Sequence, residues 1–148
     1  MSHKIINDPK KFGPGMWTSI HILAYNSKAK VDQLIYCKTI RILCSNLPCH
    51  TCRSHAIEFI ENYPPEKVVS DKDEKAMFKW SCDLHNNANK EKRPSSPVVN
   101  WELFYNEYEI NAPKDEEIVN FVEERTPLQG VRIDIYNRIM SKSNVLKK

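Results

Sequence analysis

The 148-residue sequence predicts an all-α protein. Three observations carry that expectation. Apolar residues recur at three- and four-residue spacing in one stretch after another. Prolines stand at the ends of those stretches, as at Pro48, Pro64-Pro65 and Pro97. Only three glycines occur, Gly13, Gly15 and Gly130, which argues against a turn-dense β-sandwich and against a glycine-rich phosphate loop.

Residues 1–11 are polar and are expected to form an arm, and Phe12-Gly13-Pro14-Gly15 reads as a turn. Trp17, Ile20, His21 and Ala24 then share one helical face. On those residues alone Trp17 is a core anchor and His21 a hydrogen-bonded core histidine. The second helix should span Val31 to Ser45, with apolar stripes from Val31, Leu34, Ile35, Ile42 and Leu43. Cys37 and Cys44 ride on it seven residues apart. That is ~10.5 Å along a helix, beyond the ~7 Å limit for a disulfide, so both should be free, buried and inert. The third helix should run from Cys49 to about Tyr63, with Ala56, Ile57, Phe59 and Ile60 inward, and end at Pro64-Pro65. A charged loop from Ser70 to Lys75 precedes a fourth helix carrying Met77, Trp80, Cys82, Leu84, His85 and Ala88. Glu91 to Pro97 is a basic, proline-rich connection. The aromatic segment from Trp101 reads as a short fifth helix ending near Ile110. Ile118, Phe121 and Val122 fit a further short helix, and Leu128, Ile135 and Ile139 another.

The totals exclude several classes. A net charge of +3 is too mild to imply nucleic-acid binding without a clustered patch, and the basic end (Lys142, Lys147, Lys148) reads as solvated. No apolar run reaches transmembrane length and no export signal stands at the N-terminus, so a soluble, intracellular protein is expected. The five cysteines, an odd number, make a poor disulfide framework in that setting.

The stretch Asn46-Leu47-Pro48-Cys49-His50-Thr51-Cys52 is the exception. Pro48 interrupts one helix and suits the start of the next, which puts the C-x-x-C on a first helical turn. Orphan N–H groups and the positive end of the helix dipole stabilise a thiolate there. A thiolate serves both dithiol exchange and metal ligation. Cys49, Cys52, Cys82 and His85 together form the ligand set of a structural zinc site, and a zinc-stapled helical interaction module is the alternative to a redox protein. Local chemistry leaves the two open.

Three motifs stand in order: Gly13-Pro14-x-x-Trp17-x-x-x-His21-x-x-Ala24, Leu47-Pro48-Cys49-x-x-Cys52, and Trp80-x-x-x-x-His85-Asn86-x-x-Asn89. Together they resemble the Erv/ALR family of FAD-linked sulfhydryl oxidases from about Phe12 to Tyr108. Val98-Val99-Asn100-Trp101-Glu102 resembles the small enzymes of large DNA viruses. The resemblance implies a four-helix bundle plus a short fifth helix cradling FAD, usually as a homodimer. It divides the chain into an arm (1–11), an FAD-binding domain (12–110) and a C-terminal extension (111–148).

It further implies that Cys52 lies against the flavin ring and that Cys49 is the outer, interchange thiol. Gly13, Trp17, His21 and Tyr25 would serve the cofactor from the first helix. Trp80, His85, Asn86 and Asn89 would hold its adenine, ribose and phosphates, Lys92 or Arg93 would meet the pyrophosphate, and Trp101 would close the pocket. The partners implied are protein dithiols, a thioredoxin-like relay protein among them, and O2, which is reduced to H2O2. A host cytoplasm or virion is the implied setting. Cys82 matches the first cysteine of a structural disulfide in many cellular members, but Val98 and Val99 stand where its partner would fall. Neither end of the sequence carries a second cysteine pair, so direct transfer to Cys49 is expected.

Overall fold

The computed structural model describes residues 7–111, and this part of the chain folds into five α-helices with no strand among the described residues. The first, α1 (Pro9–Asn26), starts three residues inside the expected arm. Asp8 caps it by accepting the Lys10 N–H at 2.9 Å, and Pro9 occupies the first turn, where a missing N–H costs nothing. The helix continues through Phe12-Gly13-Pro14-Gly15, so the expected turn is absent. Pro14 deprives the carbonyl of Lys10 of its helical donor, a local cost that the packing of α1 on α4 offsets.

α2 (Lys30–Ser45) turns Gln33, Tyr36, Cys37, Ile40 and Cys44 inward. Val31, Leu34, Ile35 and Ile42, which supply the expected apolar stripes, are 57%, 44%, 53% and 65% exposed. This helix has two apolar faces, and periodicity does not say which one meets the bundle. α3 (His50–Asn62) buries Phe59 and Ile60, while Ala56 and Ile57 are only half-buried. A short 3-10 turn at Pro65–Val68 follows the expected proline stop.

α4 (Ala76–Lys92) is the central element, burying Ala76, Met77, Phe78, Trp80, Ser81, Cys82 and Leu84. It starts after the expected Ser70–Lys75 loop and absorbs Glu91 and Lys92 from the expected connection. α5 (Trp101–Asn111) buries Tyr105. Neighbours pack α1 on α2, α2 on α3, α3 on α4 and α4 on α1, which closes a four-helix bundle; α5 lies against α4 and α1. The expected helices beyond Asn111 lie outside the described residues.

Two polar devices hold the frame. Buried Gln33 donates to the carbonyls of Lys28, Ser70 and Asp73 at 3.0–3.2 Å and accepts the Ser70 N–H at 2.9 Å, tying α2 to the loop before α4. Asn86 pairs with the backbone of Val99 in both directions, at 2.7 and 3.1 Å, and so fixes the approach to α5.

Candidate active site

The C-x-x-C stands at the α2–α3 corner because the chain changes direction at Pro48 and a new helix begins at once. Cys49 is the cap of α3: its backbone is extended, and its Sγ accepts the Cys52 N–H at 3.2 Å. Capping thus places both sulfurs at the positive end of the helix. Cys49 and Cys52 form a disulfide, with Cα atoms 5.2 Å apart. From the end of α4, the Lys92 ammonium reaches both sulfurs, 3.0 Å from Cys52 and 3.6 Å from Cys49.

A cavity of about 370 Å³ opens beside this disulfide. Cys52 lines it and Cys49 does not, so the two sulfurs differ in access. Gly13, Trp17 and Ile20 of α1 face it, with Leu47 and Ala56 from the corner and α3. α4 contributes Leu84, His85, Asn89 and Lys92, and Arg93 follows it. Trp17 and His85 are stacked, with centroids 4.0 Å apart and planes 7° from parallel. The walls therefore combine flat rings and aliphatic groups with two amides, Asn87 and Asn89, and two cations. A planar ring system with an anionic tail fits that combination.

His21 stands behind His85, 1% exposed, rather than on the cavity wall. Its Nε2 is 3.0 Å from His85 Nδ1, and its Nδ1 is 2.9 Å from the Ser81 hydroxyl. Burial, aided by His85, pulls its pKa down to about 3, and burial also lowers that of His85. Both rings are therefore neutral at physiological pH.

The other expected residues fall elsewhere. Trp80 and Asn86 line a second, more open cavity of about 950 Å³, which shares Asn87, Asn89 and Arg93 with the first. Trp80 is fixed by its Nε1–H donating to the Tyr63 carbonyl at 2.9 Å. Tyr25 belongs to an aromatic cluster with Tyr105, Tyr108 and Phe78. Trp101 lies beneath the Lys79 ammonium, 4.7 Å from its centroid. One residue of this region, Ser81, was not singled out in the sequence. Ser81 carried one signal, its four-residue spacing from His85 on α4. Cys44, read as inert, also lines the first cavity.

Cys37, Cys44 and Cys82 are free and buried, and burial pushes their thiols up to about 11, 11 and 12. Thiols held so firmly protonated are poor nucleophiles. The zinc alternative finds no support in the geometry: Cys49 and Cys52 are joined to each other, and among the described residues no group of three or more His, Cys, Asp or Glu converges on a metal position.

Comparison with known proteins agrees with this arrangement. Proteins of two African swine fever virus isolates, each described as an FAD-linked sulfhydryl oxidase, are 28% and 27% identical over 104 residues, covering 66% of this chain and 80% of each relative. A protein of Invertebrate iridescent virus 3 is 28% identical over 109 residues, 70% of this chain and 69% of the relative. No solved structure matches significantly. The family model described as Erv1 / Alr matches residues 14–109, a span that contains the disulfide and the stacked Trp17–His85 pair. The chain belongs to the Erv1 / Alr family.

Proposed function

We infer that the chain is an FAD-dependent sulfhydryl oxidase that joins protein thiols: 2 R–SH + O2 → R–S–S–R + H2O2. One observation carries the reading: a helix-capping disulfide has one sulfur in the wall of a cavity built for a flat, anionic ligand. A bound flavin supplies the two-electron acceptor and the route to dioxygen that a dithiol lacks. Trp17, His85 and Leu47 would flank its ring, and Asn89 and Arg93, common to both cavities, would meet its phosphates. Trp80 and Asn86 line the second cavity and would take the adenosine end.

A substrate thiolate attacks Cys49 Sγ, the sulfur outside the cavity wall, and breaks the Cys49–Cys52 bond. The Cys52 sulfur leaves as a thiolate beside the Lys92 ammonium and the start of α3. A second substrate thiol resolves the mixed disulfide at Cys49, and the substrate departs oxidised. The buried thiols of Cys37, Cys44 and Cys82 take no part, so the substrate, a thioredoxin-like dithiol protein included, meets Cys49 directly. The exposed apolar residues Ile22 and Leu23 of α1 and Val31, Leu34, Ile35 and Ile42 of α2 support a homodimer. Among the described residues no helix is long and apolar enough to cross a membrane, and the viral relatives favour host cytoplasm or virion as the setting.

The test is direct. The purified chain should be yellow, hold one FAD per chain, and convert O2 to H2O2 in equal amounts with dithiothreitol. A chain that binds no FAD, or a Cys52→Ser variant that consumes O2 at the wild-type rate, refutes the reading.

A further inference from the structure

The hydrogen-bond chain at Ser81, His21 and His85 has a polarity that its heavy-atom positions and the neutrality of its two buried rings determine together. Ser81 Oγ lies 2.7 Å from the carbonyl oxygen of Phe78. Two oxygens that close need a proton between them, and only the serine can provide it. Its single proton spent, Ser81 can only accept from His21, so the proton of His21 sits on Nδ1, 2.9 Å away. His21 is buried and neutral, so its Nε2 is a bare acceptor. His85 must then donate from Nδ1 across the 3.0 Å contact. His85 is neutral too, which leaves its Nε2 without a proton and, among the described residues, without a protein partner. That ring lines the cavity and is held flat against Trp17.

We propose that Ser81 is a positioning residue: through His21 it sets the proton order that makes His85 a hydrogen-bond acceptor toward the cavity. At His85 the cavity therefore takes a ligand group that donates, a ring or amino N–H or a sugar hydroxyl, and disfavours a phosphate oxygen. The ligand's identity as a flavin nucleotide rests on the preceding reading; the proton order does not.

Long-range 15N–1H correlation spectra of the purified full-length protein read the tautomers directly. In the wild type, both histidines should show a pyrrole-like Nδ1 and a pyridine-like Nε2. Ser81→Ala removes the acceptor and leaves a buried Nδ1–H unpaired, which favours reversal of the whole chain. His85 should then shift toward the Nε2–H form, and the dissociation constant for FAD should rise on the order of tenfold. Ser81→Thr, which keeps the hydroxyl, should restore both. A pyridine-like Nδ1 on His85 in the wild type overturns the proposal, as does an alanine variant with unchanged tautomers. The spectra need no bound flavin, so a protein that never turns yellow would refute the oxidase reading while leaving this result intact.

Discussion

The Lys92 ammonium lies 3.0 Å from Cys52 Sγ, although the two residues belong to different helices and are forty positions apart. A cation so placed favours the thiolate released when the disulfide is reduced. Stabilising the reduced form makes the couple more oxidising. Lys92→Met should lower the potential of the pair on the order of 10–30 mV, and Lys92→Arg should retain most of it. Equilibration in glutathione buffers measures this, and the alkylation profile of reduced Cys52 should move to higher pH in the methionine variant.

Cys52→Ser should keep bound FAD and lose at least about 100-fold in dithiol oxidation, since the remaining thiol cannot close the cycle alone. Cys49→Ser should lose as much and should fail to form a mixed disulfide with a substrate. Oxygen uptake and mass spectrometry of trapped adducts separate the two variants. Trapping through Cys37 or Cys44 would contradict the assignment of the outer sulfur.

His21 makes stability depend on acid. Its folded pKa of about 3 lies below the unfolded value of 6.5, so between these values the unfolded chain binds the extra proton. The contribution is fully present above pH 6.5 and is lost as pH falls toward 3. His21 should account for about 3 kcal/mol of lost stability between pH 6.5 and 4. Urea unfolding across that range, compared with His21→Gln, reads the difference; a parallel pair of curves would argue against it.

Gln33→Leu should destabilise the chain by about 2–4 kcal/mol. It strands the Ser70 N–H and removes the donor for three carbonyls in a buried position. Thermal melts of FAD-loaded protein check this, and most of the loss should appear with Gln33→Glu as well, because the amide donors are gone.

Ile42→Glu combined with Ile35→Glu should give a monomer with unchanged helix content, as seen by sedimentation and circular dichroism. Both side chains are more than half exposed, so the exchange costs little within one subunit. A wild-type protein that sediments as a monomer would dismiss the homodimer.

Much of this was legible in the chain. The C-x-x-C behind Pro48 located the helix start because capping is local: residues within one turn decide it. The motifs singled out Trp17 and His85 separately; their stacking across two helices was not legible, because periodicity carries no information on which helices face each other. The glycines around Pro14 misled because turn residues are a weak local preference, and the capping pair Asp8-Pro9 upstream prevailed. On α2 the aliphatic residues Val31 and Ile42 outcompeted Gln33 as core candidates, while Cys37 and Cys44 are buried as expected. Gln33 is buried because its amide meets the nearby Lys28 carbonyl and three backbone groups of Ser70 and Asp73, which no sequence window around it contains. The same holds for Ser81, whose importance depends on a ring sixty residues away.

Cys49 is both the cap of α3 and half of the reactive bond. Its sulfur accepts the Cys52 amide when oxidised, and a thiolate at the same place accepts more strongly still. Turnover therefore never asks the first coil of that helix to let go. The helix end thus keeps its acceptor in both chemical states while a sulfur–sulfur bond opens and shuts beside it.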